Sequence, residues 1–224
     1  MSLCREEDWR DGWKKYYEPL RIGDLLILPC WEEVPADCEG PVREGRMKKI
    51  LLDPGTAFGS GTHESTRLCL DALKKRMKGG EKLLDIGCGS GILSLAALAY
   101  GAERVTMTEL DPACEGVIEE NFNLNEIDKS RYSLIMGNIL TENKNRFGTG
   151  YTLIVCNILA PVIEALAAPG QADALAAPGA LYITSGIYKE HREDVEKRFR
   201  ANPAWEWIES VSMGDWVSVT ARRR

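Results

Sequence analysis

The sequence has few of the residues on which metal sites and disulfide frameworks depend. It contains only two histidines, and none of its seven cysteines forms a C-x-x-C pair. Because zinc sites use closely spaced Cys and His ligands, we expect no metal site. The odd number of scattered cysteines also disfavours a disulfide framework and indicates reduced thiols in a cytoplasmic protein.

Long hydrophobic runs and an excess of positive charge are absent too. No stretch approaches the ~18 apolar residues of a membrane span, and the N-terminus is charged from Arg5 onward, unlike a secretory signal. The chain has 28 Lys and Arg residues against 34 Asp and Glu, a net charge of −6. We therefore expect no membrane association and no direct nucleic-acid binding.

The 224 residues, of which 44% are hydrophobic, suffice for one sizeable core. Residues 1–45 differ from the rest because they are rich in Trp and Tyr and contain one short apolar run at 24–29. We interpret them as an N-terminal linker and strand segment, whose aromatic residues either pack at a sheet edge or contact a protein substrate. Residues 46–224 are predicted to form the main domain.

Strands and helices alternate after Gly79 and Gly80. Strands are predicted at 82–87, 104–109, 132–136, 151–156 and 180–185, and helices at 92–100, 112–125, 160–178 and 189–200. The helical segment 160–178 is predicted to be broken near Pro169 and Gly170. This alternation predicts an α/β fold with a mostly parallel sheet and helices on both faces. Two final strands, 205–212 and 215–222, lack an intervening helix and should form an antiparallel hairpin, completing seven strands. An earlier helix is predicted over 63–77, with Thr62 as its N-cap.

A glycine loop lies at the turn from the first of these strands into its helix. In DIGCGSGIL (85–93), Gly87, Gly89 and Gly91 follow G-x-G-x-G spacing. Glycines there allow a tight turn and close ligand approach beside a helix N-terminus. A dinucleotide fingerprint would have its third glycine where Ile92 stands, so the loop favours a nucleoside-type ligand without a pyrophosphate over NAD.

Glu109 ends the next strand, 22 residues after Gly87. An acidic residue at this distance can accept hydrogen bonds from both hydroxyls of a ribose. The alternative is that the glycines only shape a turn and that Glu109 is a solvated strand end. The combination of turn, helix, strand and terminal acid favours ligand binding.

Several stretches of the sequence, including the glycine loop, resemble the motifs of a known family. DIGCGSGIL and the later TELDP resemble the cofactor loop and acid of class I S-adenosylmethionine-dependent methyltransferases, which implies a Rossmann-like fold. The stretch DPGTAFGSGTHESTRLCLDAL (53–73) closely resembles the signature of the PrmA family, which methylates amino groups of large-subunit ribosomal protein L11. CNILAPVIEAL (156–166) and GDWVSV (214–219) resemble later motifs of that family.

The resemblance implies S-adenosyl-L-methionine as cofactor and places cofactor contacts on four positions: Thr66, Gly87, Glu109 and Asn157. Gly89 joins them because the glycine loop has to admit the cofactor. The family usually has Asp where this chain has Glu109, and the longer acid is expected to reach a ribose. Asn157 and Thr66 would frame the methyl-transfer end, although Asn157 could instead only cap the next helix. No residue is assigned as general base.

Two departures from the family bear on the substrate. The family carries a separate N-terminal domain that recognises the ribosomal protein, and only about fifty residues precede the 53–73 stretch here, so we expect that domain to be absent. After Asn157 the chain has Ile158, Leu159 and Ala160 rather than Pro-Pro-aromatic. That difference disfavours a nucleobase or glutamine methylase, because the aromatic stacking partner is missing.

Several further residues are weaker candidates. Phe58 and Thr62 could form a lid over the cofactor, or belong to an ordinary surface loop. Asn138 follows the third strand of the alternating region and is a candidate contact to the adenine edge. Cys88 is predicted to be a small buried filler rather than a nucleophile. His63 is predicted to be a polar residue near the helix start rather than a base.

These observations predict an N-methyltransferase in which a neutral amine attacks the sulfonium methyl group. The resemblance implies lysine side chains or the N-terminus of ribosomal protein L11 as the target. Another protein lysine or a small-molecule amine is the first alternative. A nucleotide-cofactor oxidoreductase and a non-catalytic binding module are alternatives of other classes. The sequence does not predict the oligomeric state.

Overall fold

A computed structural model describes residues 17–53, 55 and 57–224, which form two sheets. Of the aromatic residues near the N-terminus, Trp9, Trp13 and Tyr16 lie outside the described residues. Tyr17 and Trp31 make an edge-to-face contact, with ring centroids 6.5 Å apart.

The first sheet has three strands: β1 (Leu20–Ile22), β2 (Leu25–Pro29) and β3 (Lys48–Leu52). β1 pairs with β2 in antiparallel fashion, and β2 pairs with β3 in parallel, with helix α1 (Ala36–Arg43) as the crossover. The boundary predicted between residues 45 and 46 thus falls between two paired strands. As a domain boundary it stays a prediction.

The second sheet has seven strands: β4 (Lys82–Ile86), β5 (Arg104–Glu109), β6 (Tyr132–Met136), β7 (Tyr151–Asn157), β8 (Ala176–Tyr188), β9 (Trp205–Met213) and β10 (Trp216–Arg223). Their order is β6-β5-β4-β7-β8-β10-β9. The five neighbouring strands β6, β5, β4, β7 and β8 are parallel, and β10 is antiparallel to both of its neighbours, β8 and β9. The predicted α/β fold and its C-terminal hairpin are confirmed.

Helices cover both faces of this sheet: α2 (Glu64–Arg76), α3 (Ile92–Ala99), α4 (Ala113–Leu124), α5 (Ala160–Leu166), α6 (Ala172–Leu175) and α7 (Arg192–Ala201). The adjacent, fully buried Leu83 and Leu84 belong to different hydrophobic clusters, as alternation along a strand requires. Leu83 packs in the cluster that holds α2, α3, α4 and the first sheet, and Leu84 in the one that holds α5, α6 and α7. Within the described residues, no helix is long and apolar enough to cross a membrane.

Two details of the predicted helices are wrong. The N-cap of α2 is His63 rather than Thr62, because the imidazole Nδ1 accepts from the backbone N–H of Ser65 at 3.2 Å. The broken helical segment predicted over 160–178 consists of α5 and α6, which ends at Leu175, and residues 176–178 already belong to β8. The predicted break near Pro169 and Gly170 is confirmed, since the φ of 79° at Gly170 takes the chain out of the right-handed helical region.

Candidate active site

A cleft opens at the carboxyl ends of β4 and β7, where the strand order reverses. β5 and β6 lie on one side of β4, and β7 and β8 lie on the other. Ligands of open α/β sheets bind at such a switch point. The cleft has a volume of about 560 Å³, a usual size for a small-molecule site. All five predicted cofactor contacts line it: Thr66, Gly87, Gly89, Glu109 and Asn157.

The glycine loop needs its glycines for both conformation and space. Gly87 and Gly89 have φ angles of 69° and 53°, in the left-handed region that disfavours side chains. A Cβ on Gly87 would lie 2.7 Å from Cγ2 of Ile158, and one on Gly89 would lie 2.5 Å from the carbonyl oxygen of Phe58. The loop therefore approaches segments on both sides of the cleft closely.

Glu109 ties the end of β5 to the glycine loop. Its Oε2 accepts from the backbone N–H of Gly89 at 2.9 Å. Its Oε1 accepts from the backbone N–H groups of Leu110 and Asp111 at 2.7 and 3.1 Å. Because a carboxylate offers about four acceptor positions, these three bonds leave capacity for a ligand hydroxyl. If both hydroxyls of a ribose donated to the Glu109 carboxylate, one of them would have to share an acceptor position with a backbone N–H group.

Asn157, at the end of β7, and Thr66, in the first turn of α2, are in direct contact. Thr66 is fully buried in the first turn of α2, and its hydroxyl oxygen accepts from Nδ2 of the half-buried Asn157 at 3.1 Å. The alternative interpretation of Asn157 as a helix cap is wrong, because the N-cap of α5 is Leu159. The bond leaves the carbonyl oxygen of the Asn157 amide as an acceptor for a ligand.

The Gly-rich segment after β3 crosses the glycine loop. The backbone N–H of Ser90 donates to the carbonyl oxygen of Phe58 at 2.9 Å, and the Ser90 hydroxyl donates to that of Gly59 at 2.6 Å. Phe58 lines the cleft and is 57% exposed. Thr62 is not among the lining residues, and its hydroxyl contacts that of Ser60. A lid role for Phe58 stays a prediction, as does the adenine contact of Asn138, which also lines the cleft.

Trp216, at the start of β10, lines the cleft but was not among the predicted site residues. Its ring lies 4.7 Å from that of His63, which in turn lies 5.6 Å from that of Phe58. Nδ1 of His63 accepts the α2 cap bond, which agrees with its prediction as a polar residue near the helix start. The position of Trp216 within GDWVSV was the available signal. Because Trp216 is far from the glycine loop in the sequence, its position beside the cleft was not predicted.

The rim of the cleft also includes exposed apolar side chains that the sequence patterns did not single out. Leu159 and Leu110 are 70% and 64% exposed, and Val162 is 36% exposed. Exposed Leu residues at the mouth of a cleft mark it as a place for an apolar ligand surface.

Asp85 lies beneath the glycine loop and is fully buried. The Ser94 hydroxyl donates to its Oδ2 at 2.8 Å, and Oδ1 has no hydrogen-bond partner among the described residues. Burial raises the pKa of Asp85 to about 7, against the lowering effect of the Ser94 bond. Burial likewise raises the pKa of the Cys88 thiol well above its ordinary value, which agrees with its prediction as a buried filler.

The sequence comparisons agree on one family. The sequence model described as "Ribosomal protein L11 methyltransferase (PrmA)" matches residues 1–224. A protein of Lachnospira eligens with the name ribosomal protein L11 methyltransferase is 41% identical over 226 residues, covering 100% of this chain and 69% of its own length. A protein of the same name from Caldicellulosiruptor bescii is 38% identical, covering 100% of this chain and 68% of its own. The predicted absence of a recognition domain stays a prediction.

Solved structures share the fold. The ribosomal protein L11 methylase of Lactobacillus delbrueckii subsp. bulgaricus matches with a TM-score of 0.79 and 28% identity, over 93% of this chain and 100% of that one. A candidate methyltransferase crystallised as its complex with SAH matches with a TM-score of 0.59 over 90% of this chain and 70% of that one, and at 10% identity it shows the fold alone. The chain belongs to the ribosomal protein L11 methyltransferase (PrmA) family.

Proposed function

We propose that the chain is an S-adenosylmethionine-dependent N-methyltransferase that modifies amino groups of ribosomal protein L11, on lysine side chains or the N-terminus. The observation that carries the proposal is the meeting of Thr66, Gly87, Gly89, Glu109 and Asn157 in one cleft at the switch point of the sheet. The family match over residues 1–224 supports the same activity. Residues 46–224 would supply the catalytic domain, and ribosomal protein as substrate favours the cytoplasm.

The residues of the cleft fit S-adenosylmethionine. A carboxylate at the end of β5 suits ribose hydroxyls, and Gly87 and Gly89 leave the backbone bare for close approach. Leu110 and Ile139 provide apolar surface for an aromatic base beside the amide of Asn138. When bound, S-adenosylmethionine supplies an electrophilic methyl group on a sulfonium.

The chain's own groups would orient the amine and keep water from it. A free lysine side chain has a pKa near ~10.4 and has to lose a proton before it can attack. Apolar side chains at the rim, including Leu159, Val162 and Trp216, disfavour the ammonium form by desolvation. The carbonyl oxygen of Asn157 is placed to accept from the amine, because Thr66 holds the other end of the amide. We assign no general base.

A methyl-transfer assay tests the proposal. The purified chain is incubated with methyl-labelled S-adenosylmethionine and purified ribosomal protein L11, and the modified residues are located by peptide mass spectrometry. We expect label on lysine or the N-terminus of L11, and none with the Glu109→Ala variant. Label on another protein or small amine, with L11 unmodified, would establish the first alternative substrate class instead.

A further inference from the structure

Asn121, in α4, links two loops of the candidate site. It lies outside the sequence motifs from which the site was predicted. Its side chain is fully buried. Its Oδ1 accepts from the backbone N–H of Asp53 at 2.7 Å, and its Nδ2 donates to the carbonyl oxygen of Ser90 at 3.0 Å. Asp53 begins the segment formed by the described residues 53, 55 and 57–62, here called the lid loop, and Ser90 belongs to the segment 87–91, here called the cofactor loop.

Ser90 completes the connection between the two loops. Its backbone N–H and its hydroxyl donate to the carbonyl oxygens of Phe58 and Gly59, in the middle of the lid loop. The lid loop is therefore held at its start through Asn121 and in its middle by Ser90 directly. Both attachments converge on one residue of the cofactor loop.

A carboxamide satisfies both partners of Asn121, whereas an ionised carboxylate does not. The Asp53 N–H can only donate and the Ser90 carbonyl can only accept, so the side chain has to offer one acceptor and one donor. An aspartate of the same shape keeps the acceptor but places an oxygen against the Ser90 carbonyl. In a fully buried position that repulsion and the lost bond are not relieved by water.

We propose that Asn121 is a positioning residue that sets the spacing between the lid loop and the cofactor loop, and thereby the affinity of the cleft for its cofactor. The inference deepens the proposed function and rests on it for the identity of the ligand. Asn121 itself does not line the cleft, so it acts through Ser90 and Asp53.

Asn125 provides a matched control one helical turn later. Its Oδ1 accepts from the backbone N–H of Leu51 at 2.8 Å and its Nδ2 donates to the Leu51 carbonyl oxygen at 2.7 Å. Asn125 thus binds β3 through the same two side-chain groups, an amide oxygen and an amide nitrogen, but it has no hydrogen bond to the cofactor loop. Its Nδ2 also donates to the backbone carbonyl of Asn121. Variants of Asn125 therefore report the cost of loosening β3 and the end of α4 without breaking a bond to the cofactor loop.

The experiment compares Asn121→Asp and Asn121→Ala with Asn125→Asp and Asn125→Ala. Calorimetric titration with SAH measures the dissociation constant, and thermal unfolding measures the loss of stability. We expect both Asn121 variants to bind SAH about ten-fold more weakly, ~1.4 kcal/mol, and both Asn125 variants within about three-fold of the parent. Equal weakening at the two positions, or parent-like binding by Asn121→Ala, would overturn the proposal.

Limited digestion with chymotrypsin gives a second readout that needs no ligand. Phe58 is exposed in the lid loop and is a cleavage site for this protease. We expect cleavage after Phe58, identified by mass spectrometry, to be at least about five-fold faster in the Asn121 variants than in the Asn125 variants. If the parent does not bind SAH, the proposed function fails, and the cleavage rates still decide the inference: equal rates contradict it.

Discussion

Asn157 and Thr66 are joined by a hydrogen bond of 3.1 Å, although 91 residues separate them in the sequence. The bond links the carboxyl end of β7 to the first turn of α2 and so connects two walls of the cleft. Thr66 is fully buried, whereas Asn157 is half-buried and reaches the ligand space. The pair therefore fixes the orientation of an amide at the point where the substrate amine is expected.

Replacing Thr66 by valine tests this orientation. Thr66→Val keeps the shape of the side chain but removes the acceptor for Nδ2 of Asn157. A lost hydrogen bond of ~1 kcal/mol predicts kcat/KM for methyl transfer lower by about five-fold. Thr149→Val, at an exposed position just before the amino end of β7, is the control and should leave kcat/KM unchanged. Parent-like activity of Thr66→Val would show that the bond does not orient Asn157.

Glu109 is expected to determine cofactor affinity through its charge and its acceptors. Glu109→Gln replaces one carboxylate oxygen by an NH₂ group, which opposes a backbone donor from Gly89 or from Leu110 and Asp111. We predict that titration with S-adenosylmethionine gives a dissociation constant at least about ten-fold higher. Glu103→Gln, exposed just before the other end of β5, should bind as the parent does. Unchanged affinity in Glu109→Gln would remove the ribose assignment.

Gly89→Ala should lower both stability and cofactor affinity. The new Cβ would meet the Phe58 carbonyl oxygen at 2.5 Å, and the φ of 53° is strained for alanine. We expect the free energy of unfolding in urea to fall by about 1–3 kcal/mol. Gly116→Ala is the contrasting variant, because Gly116 lies inside α4 with open space around it. That substitution should raise the free energy of unfolding by up to about 1 kcal/mol.

Asp85 predicts a specific pH dependence of stability. Its pKa is raised to about 7 in the folded protein from an ordinary 3.8, mainly by burial, so the folded state holds the proton more tightly than the unfolded state. The stabilisation is complete below about pH 4 and is lost as the pH rises to about 7, by a few kcal/mol. Asp85→Asn should remove this loss.

The measurement for Asp85 is urea unfolding of parent and Asp85→Asn at pH 5 and pH 8. The variant should gain stability relative to the parent as the pH rises. A pH-independent difference between the parent and Asp85→Asn would contradict a buried acid with a raised pKa.

Much of the fold could be predicted from local patterns. The alternation of apolar strands and helices after Gly80 predicted the parallel sheet, because parallel strands buried on both faces are continuous apolar runs. The predicted ends of helices and strands were wrong where a specific side-chain or backbone interaction, rather than a repeating sequence pattern, determines the end. Thr62 looked like the cap of α2, but the ring of His63 makes the bond. The break near Pro169 and Gly170 was predicted, but the start of β8 was not, because residues 176–178 were assigned to the helical segment and belong to the strand.

The lining of the cleft was predicted where a motif or the family resemblance pointed to it, and missed where neither did. Gly87, Gly89 and Glu109 belong to a single strand–turn–helix–strand unit, so their spacing carried the prediction. Trp216 reaches the cleft from the C-terminal hairpin, and Asn121 reaches the loops from the middle of α4. No spacing rule relates these two residues to the glycine loop, because tertiary packing brings them there.

The most direct test of the account is calorimetric titration of the purified chain with S-adenosylmethionine, with NAD titrated in parallel. The account predicts one binding site for S-adenosylmethionine with a micromolar dissociation constant, and no heat of binding with NAD. No binding of S-adenosylmethionine up to millimolar concentration, or tighter binding of NAD, would contradict the central claim that the cleft at the ends of β4 and β7 is a methyltransferase cofactor site.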